Sequence, residues 1–403
     1  MRCASTTGVR ASPMDRRVGI GVIGFGWMGR VHAVSVRRAL EHFPELGVSP
    51  RLVVAADLSP QRRAQAERLG FETTVEDWRA VVEHPEVDAI SVTVPNGLHR
   101  EVALAALEAG KPVRVEKPVG VGVADTAAVA QAAERLGVVT TVGLCYRFAP
   151  AVQHARELIE RGAIGELTHY RGVFLADYAN RPEAAASWRF LRRHAGSGAL
   201  GDLMAHVVDT AHHLAGPIDA VTGRTATMIP RRPRLPVGEG THFSRVESDD
   251  LVDVENEDWA GALVRFSGGV NGSLEASRVI VGPRVGMRFE AHGSRGALAW
   301  DLERMNELRI ARLSDDGDEG YTTVLAGVEH PDFAAFHPGA GVAMGYDDLR
   351  TLEARTFLES VRDGEQRAPG AGEMLACARV LDAVERSHAS GRWEAADREV
   401  GAP

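Results

Sequence analysis

The run Gly201-Asp202-Leu203-Met204-Ala205-His206-Val207-Val208-Asp209-Thr210-Ala211-His212-His213 sets Asp202, His206, Asp209 and His213 at successive offsets of four, three and four residues. On an α-helix, with about 3.6 residues per turn, those offsets bring all four to one face. The lead-in Gly196-Ser197-Gly198-Ala199-Leu200-Gly201 consists almost wholly of small residues, so backbone or ligand can approach closely where the helix begins. A carboxylate in the first turn is favoured by the helix dipole. A histidine one turn later can share a proton with that carboxylate and with a ligand, as a general base requires. Two plainer readings fit the same residues. Leu203, Val207, Val208, Ala211 and Leu214 supply an ordinary apolar stripe, with Asp202 as a cap and His206 as a hydrogen-bonded core histidine. Asp and His four apart can also be metal ligands, but no cysteine or further histidine cluster completes a shell, so no metal is expected.

Such a helix needs a chain able to hold it. The 403 residues, 44% hydrophobic and 25% charged, read as globular material in two domains. A net charge of -9 argues against nucleic acid or an anionic membrane as partner and favours a small or neutral ligand. Cys3, Cys145 and Cys377 are far apart and form no CxxC pair, which indicates neither a zinc site nor a disulfide framework and suits the cytoplasm. No apolar run approaches a membrane span. Residues 1–15 read as a disordered leader, with Met14 an alternative start. Arg16-Arg17 is followed by a glycine-rich strand and turn rather than a cleavage region.

The first domain, residues 16–145, opens with the apolar run Val18 to Ile23. This passes into Gly24-Phe25-Gly26-Trp27-Met28-Gly29 and then a helical pattern through Val31, Ala33, Val34 and Leu40. In a strand, glycine turn and helix of this kind, the first glycine makes the turn and the second admits a pyrophosphate. The third lets helix and strand pack, with the phosphates at the helix N-terminus. Arg51 to Asp57 is a second strand, ending in a carboxylate placed to bond the adenosine ribose hydroxyls and repel a 2′-phosphate, which favours NAD over NADP. Asp57 can instead simply open the helix at Ser59-Pro60, and Arg62 or Arg63 can accept a phosphate. Further strands end at Pro95-Asn96, with His99 one turn on, at Glu116-Lys117-Pro118, and before Cys145-Tyr146-Arg147. This alternation predicts a doubly wound parallel sheet, whose ligands lie beyond the carboxyl ends of its strands. Asn96, His99, Lys117, Tyr146 and Arg147 fall there, and the proline after Lys117 restricts the backbone and aims the side chain.

The second domain, residues 146–390, breaks the alternation. A helix over 151–161 is followed by β-patterned runs at 167–178, 220–229, 251–266, 270–279, 285–291 and 308–313, which predict an α+β domain with a large, mostly antiparallel sheet. Residues 230–249, rich in Pro, Arg and Gly, read as a mobile surface loop. Tyr178, Trp188 and Arg189 suit the faces and hydroxyls of a sugar-like ring, although Trp188 equally suits core packing. The loop Phe336 to Gly341, with His337, is placed to close over a pocket. Helices over 347–362 and 373–390 precede a tail, 391–403.

Four features taken together resemble the Gfo/Idh/MocA oxidoreductases: Gly24-x-Gly26-x-x-Gly29, Glu116-Lys117-Pro118, the run Trp188-Arg189 to Gly198-Ala199-Leu200, and Asp202-x-x-x-His206-x-x-Asp209. The resemblance implies an α/β chain: an N-terminal Rossmann domain, then a domain with a large open sheet that makes homodimers or homotetramers. It implies Lys117, Asp202 and His206 as a catalytic trio. Pro95, Asn96 and His99 would lie beside the nicotinamide ribose and Glu116 at the cofactor edge. Cys145 departs from the asparagine that many members carry two residues before the arginine. The stretches 174–190 and 300–307 resemble the levoglucosan- and inositol-oxidising members. The expected function is therefore NAD-dependent oxidation of a ring hydroxyl of a pyranose, glycoside, anhydrosugar or cyclitol, with Lys117, Tyr146, Arg147, Tyr178, Trp188, Arg189, Asp202, His206 and His337 around the substrate. The alternatives are an enzyme whose tightly held NADP(H) cycles between two sugars, and a non-catalytic NAD-dependent sensor.

Overall fold

The computed structural model describes residues 16–235, 244–314, 317 and 319–397; the expected leader lies outside them. Six strands form the first sheet: β1 (Arg16–Ile23), β2 (Val48–Ala56), β3 (Thr73–Val75), β4 (Ala89–Val92), β5 (Val113–Val115) and β6 (Thr140–Val142). The helices α1 (Trp27–His42), α2 (Pro60–Leu69), α3 (Arg79–Glu83), α4 (Asn96–Glu108) and α5 (Val123–Leu136) alternate with them. All pairs are parallel, in the order β3-β2-β1-β4-β5-β6. Every residue from Val18 to Ile23 is buried, as expected of a strand covered on both faces by helices. The order reverses between β1 and β4, so a crevice opens beyond their carboxyl ends. This is the expected doubly wound sheet.

The remaining elements are α6 (Pro150–Glu160), β7 (Leu167–Ala176), α7 (Arg192–Ala195), α8 (Ala205–Ala215), β8 (Ile218–Ala226), β9 (Arg231–Pro233), β10 (Leu251–Asp253), β11 (Trp259–Phe266), β12 (Asn271–Ser277), β13 (Val285–Gly293), β14 (Gly296–Asp301), β15 (Glu307–Arg312), β16 (Thr322–Leu325), α9 (Tyr346–Asp363), α10 (Ala371–Ser390) and β17 (Glu394–Ala395). Nine strands pair in the order β16-β15-β14-β13-β7-β12-β11-β8-β17. Only β12 and β7 run parallel. Helix α8 packs on β7 and α10 on β8.

Four expectations need correction. The run 251–266 is two strands, because the Glu257 carboxylate turns inward to accept the N–H groups of Gly198 (2.7 Å) and Leu200 (2.9 Å) and Asp258 turns to Arg278 (2.7 Å). Strand β14 was not expected, since Gly-Ala-Leu-Ala lacks the β-branched residues that mark strands. The loop expected over 230–249 begins with β9, paired to β10 and anchored by buried Arg232 donating to the Ala179 carbonyl at 2.7 Å; residues 236–243 lie outside the described part. The tail begins with β17, which extends the sheet at β8.

Helix α9 returns to pack on α1 of the first domain, and charged groups are buried where it does so. Arg114, in the middle of β5, donates to Glu353 at 2.7 Å with both side chains fully buried. Arg350 forms an ion pair with Glu353 at 3.1 Å and donates to Glu116 and His32. Removing Arg114 leaves the buried Glu353 and Glu116 carboxylates sharing the one Arg350 guanidinium, and breaking a buried pair in this way costs about 3–5 kcal/mol. Arg114→Met is therefore expected to lower the free energy of denaturant unfolding by about that amount. Arg51→Met, at the exposed pair with Glu72, should change it by less than about 1 kcal/mol.

Candidate active site

The cofactor half of the site begins at the turn after β1. Gly24 has a φ of +88°, and a Cβ on Gly29 would collide with the Gly24 carbonyl, whereas a Cβ on Gly26 would meet nothing within 4 Å. The first and third glycines are thus fixed by the fold, while the second faces open space at the N-terminus of α1, where no side chain caps the helix. An uncapped helix N-terminus with open glycine backbone fits a pyrophosphate. Phe25 turns its ring into the core against Phe71, with centroids 5.4 Å apart. Asp57 Oδ2 accepts the Phe25 N–H at 2.7 Å and Oδ1 the Ser59 N–H at 2.9 Å, so this carboxylate braces the turn from the end of β2. Pro95 opens α4. Asn96 donates to the Ala195 carbonyl at 3.0 Å, and the His99 nitrogens lie 2.7 Å and 2.8 Å from the Pro118 and Val94 carbonyls, tying the ends of β4 and β5 together.

The second half comes from the stretch that the sequence pointed to, with a change of geometry. Leu200–Met204 is a π-helical turn and the α-helix proper starts at Ala205. Such turns are wider than α-helix and recur at functional sites. Asp202 and His206 face a cavity of about 1060 Å³, together with Asn96, His99, Glu116, Lys117, Tyr146, Tyr178, Trp188 and Arg189. Trp27 and Met28 also line it.

In that cavity Lys117, from the end of β5, donates to the Asp202 carbonyl at 2.5 Å and to Asp202 Oδ1 at 2.9 Å. The Tyr178 hydroxyl donates to Asp202 Oδ2 at 2.7 Å. Arg189 stacks 4.4 Å over the Trp188 ring and stands 3.8 Å from Asp202 Oδ1. The His206 ring packs edge-on against Tyr146, with centroids 4.7 Å apart. Burial and the nearby Lys117 ammonium hold the His206 imidazole well below its ordinary 6.5. Burial and Asp202 raise the Tyr178 hydroxyl. Glu116 remains ionised because Arg350 and His32 overcome the cost of its burial. Cys145 lines the cavity as a thiol that burial pushes up to about 11.

Four expected residues lie elsewhere. Arg147 is buried away from the cavity and donates to Asp209 Oδ2 at 3.0 Å, each answering the other's buried charge. Asp209 therefore leaves the face shared by Asp202 and His206: three α-helical steps from His206 swing it about 60° round the axis. His213 follows it and lies 2.9 Å from Arg156. His337 packs against Phe333 at 5.7 Å, and residues 341–345 line the cavity in its place. The sequence reading missed Tyr346, which stacks on Trp27 at 5.9 Å, and Arg350. Arg114 was a legible signal for Arg350 and Glu353, because a charge inside a buried parallel strand demands a buried counter-charge. Among the described residues no cluster of His, Cys, Asp and Glu could hold a metal ion, and no helix is long and apolar enough to cross a membrane.

The glycine turn, the switch point and the polar cavity define an NAD-binding oxidoreductase, and the chain belongs to the Gfo/Idh/MocA family. Residues 18–144 match the model described as an oxidoreductase family with an NAD-binding Rossmann fold, and residues 152–299 match the GFO/IDH/MocA C-terminal domain. Levoglucosan dehydrogenase of Pseudarthrobacter phenanthrenivorans is 34% identical over 384 residues, 94% of this chain and 98% of that protein. The scyllo-inositol 2-dehydrogenase (NAD(+)) of Bacillus subtilis is 28% identical over 355 residues, 87% of this chain and 88% of that one. A solved levoglucosan dehydrogenase in complex with NADH and levoglucosan superposes with a TM-score of 0.89 at 33% identity, covering 95% of this chain and all 100% of the other.

Tyr178→Phe removes one donor from a charged acceptor, an interaction worth about 1.5–3 kcal/mol. It is expected to lower kcat/KM by about tenfold to a hundredfold while NADH binding, followed by fluorescence titration, is unchanged.

Proposed function

We propose that this protein oxidises a ring hydroxyl of a pyranose, glycoside, anhydrosugar or cyclitol to the ketone, reversibly, with NAD. The observation that carries the reading is the meeting of Lys117 from one sheet with Asp202 and His206 from the other half of the chain in a single cavity. The relatives named for levoglucosan and scyllo-inositol support it. The turn Gly24 to Gly29 and Asp57 would hold the dinucleotide, with Pro95, Asn96, His99 and Glu116 toward its nicotinamide end. When bound, it supplies the hydride acceptor.

The protein's own part is proton and charge management. His206, kept neutral by burial, takes the hydroxyl proton. Two of the three Lys117 ammonium protons are directed at Asp202, which leaves the third to stabilise the developing alkoxide. Asp202 fixes Lys117 in place and offsets the positive charge that forms on His206. Tyr146, Tyr178, Trp188 and Arg189 surround the ring. We further propose that the protein works in the cytoplasm, where its free, buried Cys145 and Cys377 stay reduced. It is proposed to assemble as a homodimer or homotetramer through the open sheet, whose β11 leaves Leu263 57% exposed.

Lys117→Ala and His206→Ala are each expected to lower kcat by about two to four powers of ten on a panel of glucose, glucosides, anhydrosugars and inositols, with NAD binding retained; wild-type rates in either variant would overturn the assignment. An imidazole with a lowered pKa is base-competent above that value and lost below it. The acid limb of kcat/KM should therefore lie well below pH 6.5, and a limb at or above that pH would remove His206 as the base.

A further inference from the structure

The cavity has two chemically different ends. Around Lys117, Asp202 and His206 it is polar and fits a ring of hydroxyls. Beyond that centre its wall carries the apolar Val285, Leu302, Met305, Leu325 and Val342, with Arg284, Glu303, Arg304, Asn306 and Glu307 set among them. Val285 is 43% exposed, Leu325 47% and Val342 48%, so large apolar side chains face water around the mouth of a polar site. This lip is built rather than slack: Glu303 Oε1 accepts the N–H groups of Arg284 at 2.6 Å and Val285 at 3.2 Å, and those bonds hold the start of β13 against the turn before β15. A free inositol or anhydrosugar can cover valine and leucine only with the C–H faces of its ring, whereas an aryl or alkyl group covers them with its whole surface.

We propose that the substrate class is a glycoside with an apolar aglycone, aryl or alkyl. The sugar ring lies at Lys117 and His206, and the aglycone covers Val285, Leu325 and Val342. The continuity of the cavity selects this occupant, because whatever rests on those side chains is joined to what sits at the acid-base centre. The inference rests on the reading that the site oxidises a ring hydroxyl and narrows it to substituted rings.

The test measures kcat and KM with NAD for the methyl, hexyl and phenyl pyranosides of the gluco, galacto and manno series, beside the free sugars and inositols. For the sugar that turns over, covering the apolar lip should lower KM for the phenyl and hexyl glycosides about tenfold to a hundredfold relative to the methyl glycoside, with kcat little changed. In Val285→Asp and in Leu325→Asp, both exposed enough to accept a charge, the ratio of those KM values should fall toward one. Equal KM values across the aglycones overturn the inference, as does a ratio that survives both substitutions. A ratio that survives while Leu325→Asp changes the oligomeric size assigns the lip to a second copy of the chain and overturns it too. Oxidation of inositols alone overturns it while leaving the ring-hydroxyl reading standing. Oxidation of no ring compound at all removes that reading and this inference with it.

Discussion

Everything in the cavity is referred to one ion pair, Lys117 with Asp202, formed across the boundary between the parallel sheet and the open sheet. Neither side chain holds this position by local preference. Lys117 sits where it does because β5 stops there. Asp202 sits where it does because a π-turn opens the start of its helix. Each charge, partly withdrawn from water, is made tolerable by the other. The pair thereby fixes the two halves in register and sets the potential felt by His206, whose imidazole is driven neutral by burial first and by the ammonium second.

A second layer of charge stands behind that pair. Arg350 on α9 bonds Glu116, the residue before Lys117, and also meets Glu353, which Arg114 reaches from β5. The backbone that presents Lys117 is thus held from below by Arg350 and Glu353 of α9, a helix far away in the chain. Burial of this kind adds little net stability but is costly to break, so it fixes a single arrangement rather than deepening the fold.

The sequence was most legible where chemistry and local geometry coincide. The glycine turn, the strand ends carrying Asn96 and Lys117, and the Asp202–His206 spacing all depend on neighbours within a few residues, and the parallel sheet followed from the alternation alone. It was least legible where distant partners decide. Arg147 looked like a ligand residue because it follows a strand end, but Asp209 claims it. His337 looked like part of a lid, but Phe333 holds it aside. Residues 251–266 read as one strand until Glu257 and Asp258, turning inward to partners at 198–200 and 278, divided it. The π-turn was not legible either, since Gly201 and Asp202 are weak helix formers that mark the start of an ordinary helix as readily.

The return of α9 onto α1 has a consequence for how the two halves can part. A protein whose halves meet only along a linker can open like a hinge to load and unload. Here the last third of the chain is clasped to the first by buried Arg350, Glu353 and Arg114, so α9 moves with the parallel sheet and those charges stay paired however the lobes are disposed. What resists parting of the two sheets is instead the Lys117–Asp202 pair across their boundary.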